Sequence, residues 1–292
     1  MKKIFLFALC AVLASSCVFT TSGGSFNIAG CTEKINDKTF IDTVYTDVQS
    51  LRVVQTPLPV NIEAGSSDTL SVKCYVEKMN TNDSCYRIAA RMVGSALEIY
   101  QEPGEKLSFN NVSGYIDIRV PSSVKNIAIK SVSGRIDVKG IQVDKLSATT
   151  VSGGVKFADG SVQDKLDAKS VSGGISLENA AGGLVVAETV SGGIRAEGLD
   201  FARVQGKTVS GGITAYVGEN AKKLSFSTVS GGIRLFMKGD LSDNRYTLSG
   251  VSGGIRVDGV GRGRRKFSFD GGNSQADVRA KTVSGGITVR NW

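Results

Sequence analysis

The amino-acid sequence predicts an all-β fold: a single-stranded β-solenoid, similar to a parallel β-helix, with about ten rungs of about 20 residues. The string Val-Ser-Gly occurs nine times, with its valine first at position 112 and last at position 283, and the first eight copies are 19 to 22 residues apart. Apolar residues recur at fixed distances from each copy. Glycine contributes 36 of the 292 residues and proline only 4, which places the glycines in ordered structure rather than in a linker.

The residues after each copy alternate as they do in a strand with one buried face. Ile194 and Ala196, for example, flank Arg195. A second strand of the same period precedes the motif, and its apolar positions lie five and three residues before the motif valine. Four residues after that valine every copy has a β-branched residue: Ile116, Ile136, Val155, Ile175, Ile194, Ile213, Ile233, Ile255 and Ile287.

The motif itself is predicted to form the corner between these two strands. We expect its valine to face the interior, so that the chain bends or bulges where the spacing of the inward positions changes. The paired glycines would allow a close approach between the backbones of neighbouring rungs. The motif serines are predicted to form a hydroxyl ladder along the outside: Ser152, Ser172, Ser191, Ser210, Ser230, Ser252 and Ser284.

The threonines before several motif valines allow a second interpretation of the same surface. Together with the motif serines they would place two hydroxyl columns on one flat outer face, as in ice-binding solenoids. The threonine position changes to Asn111, Ser131, Ser170 and Gly250 in other copies, which favours a structural ladder.

The N-terminal residues have the pattern of a targeting signal. Lys2 and Lys3 precede an apolar run over residues 4–12, which is too short to span a bilayer. Residues 1–16 are therefore predicted to be a signal peptide. Cys17 follows a lipobox-like Leu-Ala-Ser-Ser, which predicts lipid attachment at Cys17 and a flexible, lipid-anchored tether over residues 17–35. Cleavage by an ordinary signal peptidase before Cys17 is the alternative.

The rest of the chain is predicted to form two regions. Residues 36–110 show strand patterns without the strict repeat, and they are interpreted as an N-terminal β cap with irregular coils. Residues 111–292 form the regular solenoid. The last two motif copies are 32 residues apart, and Phe269-Asp270-Gly271-Gly272 predicts an additional short rung between them.

Export places the mature cysteines in an oxidising compartment. Cys74 and Cys85 lie in two strand-like runs separated by a polar turn, which favours a disulfide between them. Two buried thiols are the alternative. Cys31 falls in the tether and has no assigned role.

The composition excludes several classes of function. Histidine is absent, which removes His-based nucleophile systems and His-ligated metals. The net charge of +8 is too small and too scattered for nucleic-acid binding, and no cofactor or metal is predicted. One basic loop could contact an anionic ligand such as a lipid phosphate or an acidic glycan, although a solvated connection is the alternative: Arg262, Arg264, Arg265 and Lys266.

Two stretches, IDIRVP at 116–121 and IAIKSVSG at 127–134, are the most specific part of a wider resemblance. Over about residues 45 to 292 the chain resembles a bacterial family of adhesin-like proteins that are built from Val-Ser-Gly-Asp/Gly-Ile repeats. The family often has an acidic residue where this chain mostly has a second glycine. The resemblance implies a β-solenoid, export and adhesion, in a family with no assigned biochemical activity.

These observations predict a non-enzymatic lipoprotein of the cell envelope with a β-solenoid binding or spacer domain. Its expected partners are the membrane, through the lipid anchor, and a protein or glycan ligand at the outer membrane or cell surface. A structural or signalling lipoprotein that faces the periplasm is the alternative. A carbohydrate-active β-helix enzyme is less favoured, because the candidate carboxylates do not recur in register: Asp200, Asp240, Asp243 and Asp258.

Overall fold

The structure, a computed structural model, describes residues 25–28, 38–78, 88–101, 112–272 and 275–292. Within these ranges the regular elements are strands, accompanied by a short 3-10 helix, Leu241–Asp243. No helix in the described part of the chain is long and apolar enough to cross a membrane. The prediction of an all-β fold is confirmed.

The strands of the first half are β1 (Ser25–Ile28), β2 (Lys38–Tyr45), β3 (Ser50–Val54), β4 (Val60–Ala64), β5 (Leu70–Lys78), β6 (Ile88–Val93), β7 (Ala96–Gln101), β8 (Val112–Val120), β9 (Asn126–Lys130), β10 (Ile136–Lys139), β11 (Gln142–Thr150) and β12 (Val155–Ser170). Those of the second half are β13 (Ile175–Thr189), β14 (Ile194–Thr208), β15 (Ile213–Val217), β16 (Lys223–Ser230), β17 (Ile233–Met237), β18 (Arg245–Ser252), β19 (Ile255–Val257), β20 (Gly261–Gly263), β21 (Lys266–Asp270), β22 (Asp277–Ser284) and β23 (Ile287–Asn291).

The strands stack in two parallel rows that meet at the motif corner. The first row contains the strands before the corner, in the spatial order β7, β3, β9, β11, β12, β13, β14, β16, β22, β18. The second row contains those after it, in the order β8, β4, β10, β12, β13, β14, β15, β17, β23, β19. The long strands β12 to β14 start in the second row and continue into the first row of the next coil.

The apolar columns that the sequence predicts are buried between the two rows. In the second row the predicted β-branched column is at most 4% exposed, and Val60 of β4 joins it. In the first row small residues stand in register at Ala148, Ala168, Ala187 and Gly206, and Phe226 of the next coil packs beside Gly206. The core therefore exists only because neighbouring coils cover each other's apolar faces.

Chain order and spatial order differ at both ends of the stack. Strands β22 and β23 lie between the β16–β17 coil and the β18–β19 coil. At the other end β3 and β4 lie between the β9–β10 coil and the strands β7 and β8. Residues 50–64, which fall within the predicted N-terminal cap and irregular coils, thus belong to the parallel stack.

The short rung predicted near residues 269–272 is wrong. Strands β20 and β21 run antiparallel to β19 and β18 and lie against the free edge of that coil. Antiparallel strands also occupy the opposite end, where β6 pairs with β7 and β5 pairs with β8. These strands cover the edges to which a further parallel coil could otherwise add.

The prediction that the motif valines fill the interior is also wrong. Their side chains are 40 to 64% exposed: Val132, Val151, Val171, Val190, Val209, Val229, Val251 and Val283. The period of two is maintained through the end of the first-row strand, so the residue directly before the valine faces inward and no bulge is required. Successive valines stand beside each other along the corner and partly shield one another.

In six motif copies the buried threonine or serine directly before the valine carries the hydroxyl ladder that was predicted for the motif serines. Thr189 Oγ1 donates to the Gly173 carbonyl of the preceding coil (2.9 Å) and accepts from its own motif's Gly192 N–H (3.2 Å). The same contact to the preceding coil recurs at Thr150, Ser170, Thr208, Thr228 and Thr282. The threonines therefore do not form an outer column, which removes the paired hydroxyl face of an ice-binding solenoid.

Replacing Thr189 by Val is expected to destabilise the protein by about 1 to 3 kcal/mol, because the half-buried Gly173 carbonyl and the buried Gly192 N–H each lose a partner. Ser191→Ala removes an exposed hydroxyl of the same motif copy and is expected to change stability by less than about 0.5 kcal/mol. Urea unfolding followed by circular dichroism measures both variants. Equal destabilisation by the two substitutions would contradict the assignment of the ladder to the threonine.

Candidate ligand-binding face

The outer side of the second row carries a column of arginine and threonine in the C-terminal half of the stack. Strands β14, β15, β17, β23, β19 and β20 are neighbours in this order. Because alternate residues of a strand lie on opposite faces, the polar residue between two buried ones points outward. In spatial order these outward residues are Arg195, Thr214, Arg234, Thr288, Arg256 and Arg262.

Only part of this positive charge is neutralised. Arg195 Nη2 lies 2.5 Å from Glu197 Oε1, and Arg256 Nε lies 2.5 Å from Asp258 Oδ1. Asp258 is shared with a second cation, since its Oδ2 is 3.7 Å from Arg290 Nε. Within the described part of the chain Arg234 and Arg262 have no carboxylate partner.

The far end of the column forms a basic groove. Arg256 and Arg262 stand directly opposite each other across the antiparallel β19–β20 pair, an arrangement that is unfavourable for two like charges unless an anion lies between them. The groove of about 540 Å³ beside them is lined by these arginines together with Arg264 and Thr288, with no carboxylate in the lining. It is open to solvent on the outer side of the second row.

The four residues of the predicted basic loop divide between two places. Arg262 and Arg264 line the groove, as an anionic-ligand role requires. Arg265 and Lys266 are exposed at the start of β21, where the Arg265 carbonyl accepts a hydrogen bond from Gly250 N–H (2.8 Å). The structure therefore adds Arg256 to the predicted set and leaves Arg265 and Lys266 outside the groove.

An aromatic cluster borders the same column. The rings of Tyr216 and Phe236 stack with centroids 4.3 Å apart and an interplanar angle of 6°, and Trp292 meets Tyr216 edge-on at 5.5 Å. Lys238 Nζ lies 5.1 Å from the Trp292 ring centroid, and Trp292 is 49% exposed. Sequence reasoning missed this cluster, although aromatic residues at an outward position of two consecutive coils were a readable signal.

We call the surface formed by these two groups the basic-aromatic face, and it consists of Tyr216, Phe236, Trp292, Arg234, Arg256, Arg262 and Arg264. Tyr216 and Phe236 lie two residues after column members on β15 and β17, so the aromatic and basic groups share one side of the rod. The arrangement combines rings that can pack against an apolar surface with guanidinium groups that can bind anionic oxygens.

A second groove, of about 380 Å³, lies on the outer side of the second row near the N-terminal end. It contains charges of both signs that bind each other. Arg135 Nε is 2.8 Å from Asp137 Oδ2, and Asn61 Nδ2 donates to Asp117 Oδ1 at 2.6 Å. Because carboxylates line this groove and its cations Arg135, Lys139 and Lys156 pair with carboxylates, it is less suited to an anionic ligand than the basic-aromatic face.

The motif serines, predicted as an outer ladder, are exposed and stand in register. Their coil-to-coil hydrogen bonds in the described structure are made by their backbone N–H groups: Ser191 N donates to the Val171 carbonyl at 2.8 Å, and Ser210 N to the Val190 carbonyl at 2.8 Å. Their hydroxyls face solvent, because the close contact between coils is on the inner side of the corner. The predicted serine ladder is thus corrected to a threonine ladder.

The cysteine predictions are only partly within the described residues. Cys74 is a free thiol, 1% exposed inside the core, and burial raises its pKa to about 12. The predicted disulfide with Cys85 is therefore wrong for this structure, in which the Cys74 thiol is free and packs within the apolar core. Cys85, Cys31 and the proposed lipid-attachment residue Cys17 lie outside the described residues.

The groups whose pKa values are shifted have structural causes. Burial raises the pKa of Tyr45 and of Tyr246 to about 12. A hydrogen bond from Arg91 lowers the pKa of Glu98, with Nε 2.7 Å from Oε2.

In the described ranges no three Cys, Asp or Glu side chains are placed to hold one metal ion.

Comparison with known proteins identifies a matching family and several solved structures of similar fold. A family model described as Toastrack DUF4097 matches residues 48–290. Among solved structures, a "putative adhesin" from Bacteroides fragilis NCTC 9343 superimposes with a TM-score of 0.52 at 14% identity, covering 87% of this chain and 97% of that one. This likeness concerns the fold.

Two proteins of Parabacteroides distasonis ATCC 8503 are also similar. A "putative adhesin" has a TM-score of 0.48 at 13% identity and covers 88% of this chain and 97% of its own. A "putative lipid binding protein" has a TM-score of 0.41 at 14% identity with the same coverage, 88% and 97%. No curated protein matches the sequence.

Proposed function

The chain belongs to the Toastrack DUF4097 family, and on this premise we propose that it is an exported, non-enzymatic lipoprotein of the cell envelope whose β-solenoid serves as a binding module. The observation that carries the proposal is the basic-aromatic face, an exposed surface with unpaired arginines and a half-exposed tryptophan on a rigid stack. Such a face can bind an anionic ligand through its guanidinium groups and pack against it through its aromatic rings.

The proposal includes the segments predicted from the sequence. Residues 1–16 act as the signal peptide and Cys17 carries the lipid. Inside the predicted tether, residues 17–35, the segment Ser25–Ile28 forms β1 and pairs with β6, so this part of it belongs to the folded body. The antiparallel strands β1, β2, β5 and β6 act as a cap that shields one end of the stack. The Bacteroides fragilis protein of similar fold is named a "putative adhesin", which supports the proposal of a surface location.

Replacement of Cys17 by Ser is expected to move the protein from the membrane fraction to the soluble fraction, because the N-terminal acyl chains supply the membrane affinity. Cys31→Ser is the matched control, and it is expected to leave the protein with the membranes. Cell fractionation followed by immunodetection measures both. Unchanged membrane association of Cys17→Ser would contradict the lipid anchor.

Protease treatment of intact cells tests the location of the binding module. A surface-exposed adhesin is expected to be cleaved in intact cells, with permeabilised cells as the control for protease sensitivity. Cleavage only after permeabilisation would contradict the surface location and favour the alternative, a structural or signalling lipoprotein of the periplasm.

A further inference from the structure

We propose that the basic-aromatic face binds an acidic polysaccharide, an inference that rests on the proposed binding function and names its ligand class. Carboxylate, sulfate or phosphate groups of the polymer bind the arginines, and a sugar ring packs on the aromatic cluster around Trp292.

The charge of the face favours an anionic partner. Arg256 and Arg262 oppose each other across one strand pair, and no carboxylate lines the groove between them and Arg264. The carboxylate of Asp258 is divided between Arg256 and Arg290. An anion in the groove relieves the repulsion, and guanidinium groups bind carboxylate or sulfate oxygens through paired N–H donors.

The spacing of the charges favours an extended polymer. Arg234 and Arg256 are separated by one intervening strand, which places them about 10 Å apart along the stack at about 4.8 Å per strand. Arg262 follows one strand further. A chain of charged sugars that lies along the rod meets these cations in succession, because their separation is comparable with a disaccharide repeat.

The residues between the arginines favour sugars over a lipid surface. Thr214 and Thr288 stand between the cations and present hydroxyls that can donate to and accept from sugar hydroxyls. The rings of Tyr216 and Phe236 lie flat on each other instead of projecting as separate anchors into a bilayer. Trp292 offers an exposed aromatic surface for the C–H face of a pyranose ring.

The chain contains one tryptophan, Trp292, so its fluorescence reports directly on this face. The purified full-chain protein is titrated with polygalacturonate, with fully methyl-esterified polygalacturonate as the uncharged match and poly-glutamate as a polyanion without sugar rings. We expect a saturable change in Trp292 emission with polygalacturonate, weaker binding of poly-glutamate and no binding of the ester.

Two charge-matched triple variants test the location. Replacing Arg234, Arg262 and Arg264 by Ala is expected to weaken binding of polygalacturonate at least about tenfold. The control variant removes three cations from the outer side of the first row, and it is expected to bind within about threefold of the parent: Arg203→Ala, Lys207→Ala and Lys223→Ala. Circular dichroism verifies that both variants are folded.

Three results would overturn the inference: equal weakening in both triple variants, equal binding of polygalacturonate and poly-glutamate, or binding of anionic phospholipid vesicles in place of the polysaccharide. The first would indicate only general charge attraction, the second a site without sugar recognition, and the third a lipid ligand. None of these results affects the fractionation and protease tests, so failure of the ligand assignment is distinguishable from failure of the proposed function.

Discussion

Replacing Gly192 by Ala is expected to destabilise the protein by about 3 kcal/mol or more, because there is no space for a methyl group at the motif corner. A Cβ at this position would lie 2.1 Å from the Gly173 carbonyl oxygen and 2.6 Å from its carbon. That oxygen also accepts the Thr189 hydroxyl. Relief of the clash must therefore separate two coils and weaken the hydroxyl ladder at the same point.

The neighbouring glycine provides a matched control. A Cβ on Gly193 would have Gly212 O as its nearest contact, at 3.4 Å, so Gly193→Ala requires only a small adjustment and is expected to cost less than about 1 kcal/mol. Urea unfolding by circular dichroism measures both variants. Similar stabilities for the two would contradict the close approach of the first glycines, which recurs from Gly153 to Gly285.

Replacing Ile194 by Asp is expected to cost about 4 kcal/mol or more and to open the stack locally, because a carboxylate would enter an apolar column without a partner. Ile194 is 4% exposed and lies between Ile175 and Ile213 of the adjacent coils. Hydrogen exchange should show faster amide exchange in β13, β14 and β15, since each coil is stabilised by its neighbours.

The conservative substitution Ile194→Val is the control for this prediction. It removes one methylene from the same column, where Val155 is already accepted, and it is expected to cost about 1 kcal/mol. A parent-like denaturant midpoint for Ile194→Asp would contradict the stacked core.

Much of the core could be predicted from the sequence, because its signal is local. The alternation around Arg195 places Ile194 and Ala196 inside, and the structure buries both. The conformational demand on the motif glycines was also readable, since a residue without Cβ at every corner implies close backbone approach. The inward position of Thr189 follows from continuing the period of two to the end of the strand, but its hydrogen-bond partner was not readable, because that carbonyl lies 16 residues away in another coil.

The candidate site depended more strongly on the tertiary structure. Arg262 and Arg264 were recognised as a basic loop, but Arg256 became part of the site only through its position opposite Arg262. Trp292 follows Tyr216 by 76 positions in the sequence. It reaches Tyr216 because β23 pairs with β17, which places β23 only two strands away from β15.

The sequence by itself determined an all-β chain with repeated, apolar-lined strands and glycine corners, because these properties follow from side-chain periodicity and from the absence of Cβ. Only the tertiary structure decided the order in which the coils stack at the two ends. Every coil presents the same apolar columns, so exchange of two neighbours buries nearly the same surface, and the periodic pattern does not specify the order. The antiparallel strands β20 and β21 occupy one edge of the β18–β19 coil. The coil formed by β22 and β23, which comes last in the sequence, lies at the other edge of the β18–β19 coil, next to β16 and β17.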